Sequence, residues 1–341
     1  MLSFLLREGM GMKTVFRIAV LTLVLHPVPA WAQDMDVSDC IVASIVLPLL
    51  GGQGDSPLIA ARVNGEKAVF YVSPAFSRIL VHDTADLWFP RGGDAPLMAQ
   101  NGELIVTSRT GLDDLQLGEL NFHGVPANLL EGPARHQING LPIIGMLGLG
   151  GNVFDTTSIL LDVPHRKIAL LRFRGTAACR TAPERLMGPD AYGSDVSADG
   201  RMAVTIGHHS REMALDPDLS ETVMPQSWAN DAGVTPDELS HDPIVTTRYV
   251  GISVGRRHAV TNMDVGSHAL PAFSVLFQSS LEKGAFGLPF FEHSAVLIDR
   301  QNAQVFVLPE ESRPLEAGHH LHFDESHQGQ TAVSQKSGTI N

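Results

Sequence analysis

KAVFYVSPAFS at residues 67–77 and REMALDPDLSETVMP at residues 211–225 decide how this chain is read. Each is an apolar strand running into a tight turn, followed by Ser and a further apolar run. A glycine-centred turn precedes both, Val63-Asn64-Gly65 in the first and Ile206-Gly207 in the second. Each also has a downstream partner. GMLGL (145–149) leads through Phe154 to Ile159-Leu160-Leu161-Asp162, and GAFGL (284–288) leads through Phe291 to Val296-Leu297-Ile298-Asp299. The copies are offset by 143, 139 and 137 residues in turn. Three motifs in one order at nearly one offset mark an internal repeat, hence two homologous lobes.

Working outward, the remaining segments are short and strand-like. CIVASIVLPL (40–49) is β-branched, and residues 57–63 and 68–72 form a hairpin around Asn64-Gly65. Further strands are expected at 77–82, 104–107, 115–117, 122–130 and 142–149, with a terminal hairpin at 159–163 and 167–173. Residues 175–200, rich in Gly, Pro, Ser and Asp, read as an interlobe linker. The second lobe repeats the pattern at 202–206, 212–215, 246–254, 258–262, 272–277, 295–299 and 304–308, with a short helix at 227–232. Short strands, few helices and glycine corners, repeated once, make an all-β, two-lobed protein.

The ends are different. Lys13 and Arg17 precede an apolar run at 18–25, and Ala30-Trp31-Ala32 is a small-x-small cleavage signature, so residues 1–32 read as a signal peptide. Met12 is a plausible start within it. The run is short for a membrane anchor and is broken by Pro27 and Pro29, so no stable span is expected after cleavage. The protein is therefore expected in the periplasm or secreted. Residues 310–341 are polar, with His319, His320, His322 and His327 beside Asp324 and Glu325, and read as an unstructured tail. A weak divalent-metal tract is the alternative there.

The formal charge is −13, and removing a leader of net charge +2 takes it to about −15. That sign argues against nucleic-acid and anionic-membrane binding. Cys40 and Cys179 are the two cysteines. In an oxidising compartment they read as one disulfide, two buried thiols being the alternative. No metal site, phosphate loop or dinucleotide fingerprint is read, and no cofactor is expected.

These motifs resemble the acid-protease superfamily in its bacterial retropepsin-like form. The closing stretches LDVPHRKIAL (161–170) and IDRQNAQVFV (298–307) carry the likeness further, over about residues 57–173 and 201–308. The resemblance implies a pepsin-like double β-barrel: a lobe at 33–174, a linker at 175–200, a lobe at 201–309, and a cleft between the lobes. It also implies one catalytic aspartate from each lobe, two carboxyls sharing a proton so that one serves as base on a water.

This chain departs from that pattern. The first-lobe motif reads Ser73-Pro74-Ala75-Phe76-Ser77, with serine at the aspartate position and no glycine. The second reads Asp216-Pro217-Asp218-Leu219-Ser220, with Asp216 as the surviving aspartate. A hydroxyl cannot share a proton as a carboxyl does. The leading expectation is a non-catalytic, monomeric protein whose cleft binds a peptide or protein ligand. The alternative is an aspartic endopeptidase using Asp216, with Asp83 of HDTADLWFP (82–90) as partner, or with a second Asp216 across a homodimer. Residues 103–111 lie where the first-lobe flap is expected, so Arg109, Thr110 and Gly111 join Asp218 as cleft candidates. Asp162 and Asp299 are expected to be acceptors for turn backbone.

Overall fold

The computed structural model describes residues 36–98, 104–197, 199–249 and 251–310. The signal-peptide and tail expectations fall outside them. Among the described residues, no helix is long and apolar enough to cross a membrane.

The Asn64-Gly65 turn forms as read. Both residues take positive φ (51° and 89°), which matches the twist of the hairpin between Leu58–Val63 and Glu66–Ser73. The first-lobe sheet then continues through Ser108–Leu117, Leu120–Pro133, Ile79–Asp83 and Leu141–Gly148. Leu141–Gly148 returns to pair in parallel with Glu66–Ser73, bringing Gly148 opposite Ser73. Six strands thus close into a barrel. Its interior holds Phe70, Val72, Ile79, Leu112, Leu115, Ile144 and Leu147, all fully buried.

The second lobe is a nine-stranded curled sheet that stays open. Its centre repeats the first lobe: Gly284–Phe286 runs parallel to His209–Leu215, with Phe286 opposite Leu215. The lobes are joined by a six-stranded sheet in the order Ile41–Pro48, Lys167–Phe173, Ser158–Asp162, Ser294–Asp299, Gln304–Pro309, Tyr192–Asp195. At its middle Leu160 pairs with Leu297, while Ile159 pairs with Ile298 and Leu161 with Val296. Such pairing is self-complementary and sets a local two-fold axis through that leucine pair. The architecture is dominated by β-strands and is two-lobed.

Two local details are added. Within the stretch read as the interlobe linker, Ala182–Met187 is a helix, and Tyr192–Asp195 supplies the outer strand of the joining sheet. Cys40 and Cys179 form the disulfide, and with Ala182 and Met187 they pack on Phe173, Leu297 and Phe306. These few apolar side chains anchor a stretch whose composition is otherwise turn-like. The helix expected at 227–232 is reduced to one 3₁₀ turn, Gln226–Trp228.

Candidate functional site

The two repeated turns meet at the lobe interface, and the glycine motifs explain how. Gly148 lies against the first turn so closely that a Cβ there would sit 2.1 Å from the Arg78 carbonyl oxygen and 2.8 Å from that of Phe76. Gly287 does the same in the second lobe, with the Glu221 oxygen at 2.1 Å and the Leu219 oxygen at 2.7 Å. Residues 76 and 78 correspond to 219 and 221 at the 143-residue offset, so both lobes press a glycine-bearing strand under the same two carbonyls. The backbone needs that glycine for close approach.

This packing fixes Ser73 and Asp216 at the ends of their strands and points them at each other. Ser73 Oγ donates to Asp216 Oδ1 at 2.8 Å, and both residues are fully buried. The backbone N–H of Asp218 also donates to the Asp216 carboxyl. Burial pushes the Asp216 carboxyl up to about 6, opposed by the hydrogen bonds from Ser73 and Asp218. Loss of hydration outweighs two donors, as expected for a carboxyl enclosed on all sides.

The turn apexes cross the interface. Ala75 of the first lobe packs on the second-lobe cluster that contains Ala214, Leu219, Val223 and Leu276. Its counterpart Asp218 faces the first lobe, where Ser56 Oγ donates to its carbonyl at 3.3 Å. Arg300, in the second-lobe closing hairpin, reaches back to donate to the carbonyls of Gly150 (2.9 Å) and Pro74 (3.2 Å). Beneath these turns lies a partly buried charged group. Arg166 donates to the carbonyls of Leu50 and Asp55. Glu292 is pushed up to about 7, chiefly by burial, with Arg166 opposing and Asp55 adding to the rise. Tyr71 is held protonated by burial, then by the charges of Asp218 and Asp55.

The other candidates lie elsewhere. Asp83 accepts from the Phe89 N–H at 3.0 Å and from Arg91 at 2.9 Å, so its carboxylate closes the 83–91 loop. Arg109, Thr110 and Gly111 are not in a flap. They sit in the barrel wall, paired with Asn128, Ala127 and Pro126, and Arg109 is exposed. The start of the 103–111 stretch does form a separate pairing, Leu104–Ile105 with Leu97–Met98. Asp299 is fully buried and accepts from Ser158 Oγ (3.1 Å) and Asn302 (2.6 Å), while Asp162 accepts from His165. Ser56, Tyr71 and Arg300 are missed by motif reading. They lie tens to hundreds of residues from the groups they touch, and only Arg300, directly after a motif aspartate, carried a local cue. Among the described residues no group of three His, Cys, Asp or Glu side chains is arranged to hold a metal.

Each lobe thus carries a strand, a turn bearing Ser or Asp, and a glycine-bearing strand beneath it. No family model matches the chain, and no curated protein matches it. Among solved structures, the chain is similar to the aspartic proteinase from Irpex lacteus, at 10% identity and a TM-score of 0.47, over 79% of this chain and 99% of that one.

Proposed function

We propose that this is an exported, non-catalytic relative of the aspartic proteases, whose interlobe cleft binds a peptide or partner protein. The observation that carries this reading is the Ser73–Asp216 hydrogen bond. In the protease dyad two carboxyls share one proton, and the ionised member activates water. Here a hydroxyl occupies one side. It donates a hydrogen bond to Asp216 and has no carboxyl proton to exchange.

Ser73 with Asp216 has the outline of a nucleophile and its base. Both side chains have zero exposure, so Oγ offers no face to a substrate. The pair acts as a stitch between lobes. Export is supported by the small-x-small site at residues 30–32 and by the Cys40–Cys179 disulfide, a bond that persists in oxidising compartments.

The test is incubation of the purified protein and its D216N variant with a mixed peptide library from about pH 3 to 7, followed by recovery of retained peptides. The expected result is intact peptides in both reactions and selective retention of a subset. Cleavage by the native chain that vanishes in D216N would overturn the reading in favour of an active endopeptidase.

A further inference from the structure

The outer strand of the joining sheet, Tyr192–Asp195, and the second-lobe strand Arg201–Ile206 touch at one end and then part. They meet where Val196 bridges Met202. Beyond it, Ser194 Oγ reaches across to the Ala203 carbonyl at 2.7 Å. The far end is closed again. Gly266 lies so near Gly193 that a Cβ would sit 2.4 Å from the Gly193 oxygen, and the Tyr192 ring stacks on His268 with centroids 4.0 Å apart and planes 7° apart. Between these clamps lies a cavity of about 470 Å³. That is within the size range of small-ligand sites.

The lining sets the chemistry. Its apolar lining includes Ala191, Ala203 and Phe306, and its polar groups include Ser194, Thr205, Ser210 and Gln304. Its charged residues are Glu184 and Asp195, with no Lys, Arg or His in the lining. Among the described residues neither carboxylate takes part in an ion pair. Of the nearby basic side chains, Arg201 and Lys283 both pair with Asp199, and His209 and Arg211 both pair with Asp231. Two carboxylates beside a low-dielectric wall, with no internal counter-charge, focus a negative potential into the space. A cationic head would meet the carboxylates and hydroxyls while its alkyl stem covers Ala191 and Ala203.

We propose that this cavity is a binding site for an ammonium or guanidinium group on an alkyl stem, carried by a free polyamine or by a basic peptide side chain. The site is separate from the Ser73–Asp216 interface and does not depend on whether that pair is catalytic.

The experiment is calorimetric titration of the full chain at low salt with spermidine, agmatine, and a blocked Gly-Lys-Gly peptide, with its Nε-acetylated form as the neutral control. Two variants accompany it. E184Q/D195N removes the charge at exposed positions. A203K extends an ammonium into the cavity from the face of its strand turned away from the core. Saturable one-to-one binding of at least one cation is expected, weakened about tenfold or more in E184Q/D195N (roughly 1.4 kcal/mol) and lost in A203K, with no binding of the acetylated peptide. Binding of the free amines alone identifies a polyamine site, and binding of the peptide alone identifies a side-chain site. Absence of saturable binding by all three cations overturns the proposal, as does affinity unchanged in both variants.

Discussion

Ser73 and Asp216 end the corresponding strands of the two lobes, 143 residues apart, yet one carries a hydroxyl and the other a carboxyl, joined at 2.8 Å with no exposure to solvent. A symmetric backbone thus holds an asymmetric pair. Two carboxyls here would repel unless one kept its proton. Donor and acceptor need no such arrangement, so the contact forms whether or not Asp216 is ionised.

Removing the hydroxyl leaves the carboxyl buried with one donor fewer. Ser73→Ala is expected to cost about 1–3 kcal/mol, the penalty for an under-satisfied buried polar group, and to raise the Asp216 carboxyl further. Urea unfolding at pH 7 checks the cost. A variant as stable as the native chain would show that the hydrogen bond contributes nothing to lobe docking.

The pH dependence has a definite sign. The Asp216 carboxyl is raised from 3.8 to about 6 on folding. Between those values the folded state holds a proton that the unfolded chain has released, so this group's stabilisation is full below pH 3.8 and is lost as pH rises through 6. At about 1.4 kcal/mol per unit the change is on the order of 3 kcal/mol. Glu292, raised from 4.5 to about 7, acts in the same direction over a higher window. Asp216→Asn is expected to flatten the slope between pH 4 and 6, and Glu292→Gln the slope between 4.5 and 7, in chemical unfolding measured across that range.

The glycines under the turns admit no side chain. Gly148→Ala or Gly287→Ala sets a methyl about 2.1 Å from a backbone oxygen, and each is expected to destabilise by about 3 kcal/mol or more, in the range of strained and overpacked substitutions. Gly65→Ala serves as a control. It has open space around it but φ of +89°, so its cost is limited to about 1–2 kcal/mol of left-handed strain. Equal losses at all three positions would contradict the packing account.

The disulfide spans 139 residues and ties the start of the first strand to the segment between the lobes. Cys40→Ala with Cys179→Ala is expected to lower stability by about 2–5 kcal/mol, read as a shift in melting temperature. The native chain treated with reductant should fall to the level of the double variant.

Sequence alone determined what local chemistry and repetition determine. Asn64-Gly65 reads as a tight turn because both residues tolerate positive φ, and the 143-, 139- and 137-residue offsets place like motifs in the same order in each lobe. The serine at position 73 was legible too, since the strand and turn around it match those around Asp216. Tertiary structure alone decided the rest, where a residue's role is set by partners distant in the chain. Arg109 lies in a barrel wall instead of a flap because its strand's pairing with Leu120–Pro133 continues through that point. Asp83 is spent on Phe89 and Arg91. Residues 175–200 look like a linker by composition, yet Cys179, Ala182, Met187 and one short strand bind them into the joining sheet. Composition reports how a segment treats water on average. It does not report which few side chains the rest of the fold has room to bury.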